Sequence, residues 1–195
     1  SSVSQLGFIF VGLAMQCLLG SHNALAVDGT TLHIVNHSLI KMALFPAAGI
    51  IHLSTHSFRL DDIRGFGRGK PLLAAVMGIP MFSLAGLPLL NGYVSKTLLH
   101  ESIVEYIHLA GGLAWLFTAV EWLFLLTGGL TLAYMLKLFV CIFLEENRQP
   151  QRVTAWREQG RYIAPASAAV LVCYGALMPL LGANPNRWMD GIAAF

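Results

Sequence analysis

Residues 71–109 read PLLAAVMGIPMFSLAGLPLLNGYVSKTLLHESIVEYIHL, and the fold turns on how this stretch is read. It is apolar enough to enter a membrane. As one straight helix, at about 1.5 Å per residue, it would run about 60 Å. The hydrocarbon core is only about 30 Å thick and is crossed by about 20 residues. Pro80, Gly86, Pro88 and Gly92 punctuate the stretch. The pattern predicts two half-helices, 72–86 and 92–109, joined by a non-helical LPLLN at 87–91. Non-helical backbone at membrane depth survives only where protein or a watery cavity satisfies its polar groups. In transporters, interrupted helices of this kind mark ion and substrate sites.

Four further spans flank it, at 2–20, 32–56, 115–144 and 162–182. The expected fold is therefore all-α: one polytopic membrane domain over 1–195 with about five transmembrane helices, the third of them broken. Composition agrees. Of 195 residues, 56% are apolar and 11% charged, with a mean hydropathy of +0.66. Soluble domains carry about 25% charge. This excludes a disordered tail, a nucleic-acid binder built on a basic patch, and most soluble enzymes. Cys17, Cys141 and Cys173 lie far apart in apolar runs, without a CxxC pair, and read as small buried hydrophobes. Ser1 opens into an apolar segment with no basic leader or small-residue cleavage site, unlike a signal peptide. The expectation is a piece of a longer chain.

Loop charges orient the spans. Loop 57–70 holds Arg59, Arg64, Arg68 and Lys70, and loop 145–161 holds Arg148, Arg152, Arg157 and Arg161. Loop 21–31 has no Lys or Arg, and the tail after 182 has only Arg187. Cytoplasmic loops carry the excess of Lys and Arg. Both basic loops are thus expected inside, with 21–31 and the C-terminus outside. Trp156 among the arginines suits a short amphipathic helix in the membrane interface.

An ionisable group at a helix centre costs about 2.5–3.5 kcal/mol on insertion scales, so each needs a reason. The second span carries His33, His37 and Lys41. A spacing of four sets them on one stripe that drifts by about 40° per step. His52 and His56 lie near the cytoplasmic end of the same span. Lys96 follows the expected break, with His100 one turn on. A polar stripe gluing helices together, or a lysine reaching for the interface, is the structural alternative. Histidine titrates near neutrality, so a row of such groups within lipid suits proton passage. Glu101, Glu105 and His108 read as a solvated outer end. Glu121 and Lys137 in the fourth span are secondary candidates.

No GxSxG, HExxH, Walker A or GxGxxG motif occurs. His33 and His37 lack the glutamate of a zinc-protease helix, and Lys41 repels a cation. Neither a catalytic residue nor a metal or cofactor site is expected in this chain.

SSVSQLGFIFVGL, LHIVNHSLIKMALFPAAG, FSLAGLPLLNGYVSK and LTLAYMLKLF, in this order and spacing, resemble one family. It comprises the antiporter-like proton-channel subunits of complex I (NADH:quinone oxidoreductase), of membrane-bound hydrogenases and of multisubunit sodium/proton antiporters. The resemblance implies a fold of about fourteen helices with two inverted five-helix repeats, of which this chain matches the last five. It implies that Lys96 is the lysine of the second broken helix, at the exit side. It makes Lys41, His37 and His33 the central relay, with Gly86, Pro88, Asn91, Gly92 and Ser95 forming the break. The family's first half holds a glutamate–lysine pair that this sequence lacks. A missing N-terminal half or a companion chain, other membrane subunits and the lipid bilayer are then the expected partners, in a bacterial or archaeal cytoplasmic membrane.

Three functions follow. The first is a proton-translocating module of a redox-driven complex, in which charge arriving next to Lys96 ejects its proton. The second is a role in sodium/proton antiport, with backbone carbonyls at 87–91, Asn91 and Ser95 as cation ligands. The third is a non-conducting scaffold that docks partner subunits.

Overall fold

The computed structural model describes residues 1–158, 160 and 162–184. Among these the chain is helical, without strands. The long helices are α1 (Ser2–Leu19) and α2 (Ala24–Thr55). Short α3 (Leu60–Ile63) precedes α4 (Pro71–Ala85) and α5 (Asn91–Leu109). Then come α6 (Ala114–Phe139), α7 (Pro150–Glu158) and α8 (Pro165–Ala183). Among the described residues four helical segments are long and apolar enough to cross a membrane: Ser2–His22, Ala24–Thr55, Gly111–Leu144 and Pro165–Ala183. The protein is a polytopic all-α membrane protein.

Loop 21–31 is a correction. Only 20–23 link α1 to α2, and residues from Ala24 on are helical. Small residues make the difference. Ala26 and Thr30 are buried against the neighbouring helices. A Cβ on Gly29 would stand 3.0 Å from Leu99 N of α5. A segment that packs this closely has no reason to stay a solvated loop. Cys17 and Cys173 are also corrections: Cys141 is buried but these two are exposed. They sit on apolar helix faces, where the surrounding medium rather than the protein interior takes up a thiol.

Helix hydrogen bonding stops after Ala85 and resumes at Asn91, so the non-helical residues are 86–90, one residue earlier than the pattern predicts. The stop is a Schellman motif. Gly86 takes φ +88°, its N–H donates to Ser83 O at 3.0 Å, and Leu87 N donates to Phe82 O at 3.1 Å. A left-handed residue is cheapest as glycine, and Pro88 just beyond cannot continue the helix. Leu89 also has positive φ, 71°. The C-terminal end of α8 covers this segment: a Cβ on Gly182 would be 2.5 Å from Leu89 O. α8 itself starts later than 162, because Pro165 occupies its first turn.

Two apolar clusters flank a polar band. One runs from Ile40 through Phe66, Met77, Ile142 and Trp156 to Met178. The other holds Phe8, Met15, Ala26, Leu99, Ile103 and Phe124. Between them along α2 and α5 lie buried His33, Asn36, Asn91, Ser95 and Lys96.

The two basic loops meet. Gly65 N donates to Cys141 O at 2.8 Å and Gly67 N to Ile142 O at 2.9 Å. Arg64 pairs with Glu145 at 2.7 Å, Arg68 with Glu146, and Arg152 with Asp62 at 3.1 Å. A hydrogen bond from the Ser57 hydroxyl, with Arg152 and Arg59 nearby, holds the Asp62 carboxyl below the usual carboxylate range. Trp156 of α7 packs edge-on against Phe66, 5.5 Å between centroids. Both loops therefore lie on one side of the bundle, the side that the Lys/Arg rule predicts to be cytoplasmic. Cysteines placed at Arg64 and Arg152 should both react with an impermeant thiol reagent only from the cytoplasmic side. Labelling of either from outside would reverse the assignment. Arg187 and the C-terminal tail fall outside the described residues.

Candidate functional site

The site is built where α1, α2 and α5 cross the end of α4. Asn36 anchors it. Its amide donates to Asn91 O at 2.8 Å, and the Asn91 amide donates back to Asn36 Oδ1 at 2.9 Å. The Ser83 hydroxyl donates to Asn91 Oδ1 at 2.6 Å and accepts from Gly92 N at 3.2 Å. This closed network joins α2, the last turn of α4 and the first turn of α5. It supplies the partners that helix ends within an apolar medium would otherwise lack. Gly92 permits it: a Cβ there would lie 1.9 Å from Ser83 O.

Lys96 stands one turn into α5, 9% exposed. Its ammonium donates to Leu84 O at 2.7 Å and lies 5.0 Å from the centroid of the Phe8 ring. It thus caps the C-terminal end of α4, where the aligned peptide dipoles present partial negative charge. No ion pair to Lys96 forms among the described residues. Gly86 makes room, since a Cβ on it would be 3.2 Å from Lys96 Cδ.

His33 is buried, and its Nδ1 lies 3.0 Å from the hydroxyl of Ser95, the residue before Lys96. The Phe8 ring, 5.9 Å from that of His33, therefore touches both His33 and Lys96. His37 is half-buried, its ring parallel to that of His33 at 6.4 Å between centroids. Lys41 continues the stripe, half-buried, hydrogen-bonded to the Ser1 hydroxyl and 5.4 Å from the Phe45 ring centroid.

On the other side of Lys96 a cleft of about 370 Å³ opens, lined by Gly86, Lys96, His100, Glu101 and Phe124 among others. His100 Nε2 lies 3.0 Å from Glu121 Oε1 of α6. Glu121, a secondary candidate by sequence, thus joins the group through His100. Lys137 does not. It is exposed and shares a shallow groove with Ser4 and Tyr134, away from Lys96. At about 100° per residue, the path from Glu121 to Lys137 ends about 160° around α6, on nearly the opposite face.

Pro88 lies in the non-helical 86–90 segment, and Ser95, Asn91 and Gly92 lie in α5. Sequence reasoning overlooked Asn36, Ser83 and Phe8 as members of the site. Asn36 carried a signal, an amide at mid-span between two histidines. Ser83 and Phe8 carried none, because a serine or phenylalanine in an apolar helix is ordinary.

The model of the family described as NADH:quinone oxidoreductase/Mrp antiporter, transmembrane, matches residues 1–120. NADH-quinone oxidoreductase subunit N of Desulforudis audaxviator is 33% identical over 150 residues, 77% of this chain and 27% of that protein. A Rhizobium meliloti antiporter component, named a "Probable K(+)/H(+) antiporter" subunit, is 29% identical over 178 residues, 89% of this chain and 16% of that protein. Among solved structures, the Mrp complex from Dietzia sp. DQ12-45-1b superimposes on 96% of this chain and 39% of the matched chain. Its TM-score is 0.72 and its sequence identity 24%, a likeness of fold. The chain spans well under half the length of each of these relatives. The family match includes α1, α2, α4 and α5 and every residue around Lys96 except those of α6, and on it the chain belongs to the NADH:quinone oxidoreductase/Mrp antiporter transmembrane family.

Proposed function

We propose that this chain translocates protons, as an antiporter-like membrane subunit of a redox-driven complex, through a buried array of lysine and histidine. The observation that carries the reading is the Lys96 ammonium: buried, without an ion pair among the described residues, and held by a single carbonyl at the end of α4. A charge kept at that depth is costly, and such groups inside membrane helices mark ion pathways. In this reading α4 and α5 act as the two halves of one interrupted span. His37, His33 and Ser95 lead toward Lys96 from the Lys41 side. His100 and Glu121 lead away through the cleft. Redox chemistry belongs to other subunits, and Lys96 responds to changes of charge next to it. Coulomb energy between unit charges at 4 Å is about 4 kcal/mol at an effective dielectric of about 20, enough to move a proton equilibrium decisively.

The name of the Rhizobium relative supports a second reading, cation/proton exchange. Two features weigh against a cation site at the helix gap. The oxygens of Asn91 and Ser83 are committed to one another and to Asn36 and Gly92. The Lys96 ammonium occupies the same gap and repels a cation.

The test is proton uptake into proteoliposomes holding the assembled complex, normalised to electron transfer. Lys41→Ala should lower the proton-to-electron ratio several-fold, and His37→Ala less. Wild-type ratios for Lys41→Ala and Lys96→Ala together would leave the scaffold reading. A ratio that depends on external sodium or potassium would favour exchange.

A further inference from the structure

Gln5 of α1 is the least satisfied polar residue described. Its relative exposure is 0%, and neither Nε2 nor Oε1 has a hydrogen-bond partner. His33 Nε2 and His37 Nε2 are also buried and unpartnered. A buried polar atom left unpaired keeps the full cost of its lost hydration. Five such atoms occur among the described residues, the fifth being His52 Nδ1, and the four on Gln5, His33 and His37 call for a common cause.

The helix register brings them together. α1 and α2 run antiparallel in close contact. Gln16 Nε2 donates to Ala26 O at 3.3 Å. A Cβ on Gly12 would stand 2.1 Å from Thr30 Oγ1. Phe8 meets His33, and Ser1 meets Lys41. Each turn gained along α1 is one turn lost along α2. Gln5, four residues on from Ser1, therefore falls opposite His37, four residues back from Lys41. Ser1, Gln5, Phe8 and Gly12 share one face of α1.

The Ser95 hydroxyl lies 3.0 Å from His33 Nδ1 and 3.3 Å from Gly92 O, and has one proton to give. When that proton goes to Gly92 O, the Ser95 oxygen accepts from His33 Nδ1–H and His33 Nε2 is a bare acceptor; when it goes to Nδ1, Nε2 carries the N–H. The parallel rings of His33 and His37, 6.4 Å apart, are too far for a direct bond. Two hydrogen bonds that meet at one water oxygen, near its tetrahedral angle, join atoms about 4.6–4.9 Å apart, a span that ring nitrogens displaced from the ring centroids toward each other can meet. Buried water typically makes about three hydrogen bonds to otherwise unsatisfied groups.

We propose that Gln5, His33 and His37 enclose a site for bound water, and that the Gln5 amide is the group that holds it. Water there donates to His33 Nε2 or accepts from its N–H, according to the tautomer, and pairs with the Gln5 amide and His37 Nε2. The amide offers both a donor and an acceptor and never changes charge. It therefore holds the water whichever imidazole is protonated. Gln5 is a positioning residue. The site stands on its own geometry, and its role in conduction rests on the relay reading above.

Gln5→Met keeps the length and shape of the side chain and removes both polar groups. The assembled complex in lipid nanodiscs, imaged by cryo-electron microscopy at a resolution that shows water, should have density between Gln5 and the two imidazoles. That density should vanish in Gln5→Met, with the Tm unchanged or lower, because the imidazoles lose their partner. Proton uptake per electron should fall several-fold while electron transfer persists. A direct Gln5–His37 bond without water overturns the proposal. So does a dry site at which Gln5→Met raises the Tm, the result expected when an unpaired amide is replaced by an apolar isostere. If the water is present but Lys96→Ala pumps normally, the site stands and the relay fails.

Discussion

Lys96→Ala should reduce proton uptake per electron by tenfold or more in the assembled complex, while Thr97→Ala next to it leaves uptake near wild type. The contrast rests on where the two side chains end. The Thr97 hydroxyl bonds back to Tyr93 O within its own helix, at 3.0 Å. The Lys96 ammonium reaches across the gap to Leu84 O and faces the cleft toward His100. Alanine removes the ammonium, a group between the histidines of α2 and His100 that can change its charge. Lys96→Arg should not restore uptake, since a guanidinium stays protonated at any working pH. Assembly and electron transfer should survive in Lys96→Ala, because the Leu84 carbonyl it frees can be met by water in the adjoining cleft. Uptake at the wild-type ratio in Lys96→Ala would reduce Lys96 to a helix cap.

Gly92→Ala should be the most damaging single-methyl change in the described part of the chain. The added Cβ would fall 1.9 Å from Ser83 O and 3.1 Å from Ser83 Oγ. The carbonyl belongs to the last turn of α4, so it cannot yield without unwinding the turn that presents Leu84 O to Lys96. Overpacking in a tight site costs about 1–3 kcal/mol, occasionally more. The Asn36–Asn91–Ser83 network would be lost with it. The expected results are a lower Tm, poorer assembly and loss of pumping together. Gly49→Ala is the control. Nothing lies within 4 Å of its Cβ position, and alanine is the better helix former. Its Tm should hold or rise. Equal effects of the two changes would mean that α4 and α5 do not meet as closely as described.

Most of the helices are legible in the sequence because hydropathy and length constrain a membrane chain so strongly. The stop at 86 is legible too, from Gly86 and Pro88, although hydrogen bonding rather than composition places it one residue earlier. The start of α2 is not. Asp28, Gly29, Thr30 and Thr31 look like a loop, and only their fit against α1 and α5 makes them helix. The charged residues announce themselves at His33, His37 and Lys96, since each is costly in lipid. Their contacts are not announced. That Phe8 touches both His33 and Lys96, or that Glu121 meets His100, depends on helices separated by tens of residues. Lys137 shows the converse, a lysine in a span that simply points outward. Gln5 stands within SSVSQLGFIFVGL, yet an amide near the start of an apolar helix says nothing until its burial and lack of partners are seen.

The most direct measurement is infrared difference spectroscopy of the assembled complex during turnover, with lysine isotopically labelled, in wild type and Lys96→Ala. A lysine that gives up and regains a proton produces an ammonium band that changes with turnover, shifts with the label and is absent from Lys96→Ala. A turnover spectrum with no lysine signal, or one unaltered in Lys96→Ala, would contradict the claim that Lys96 gives up and regains a proton.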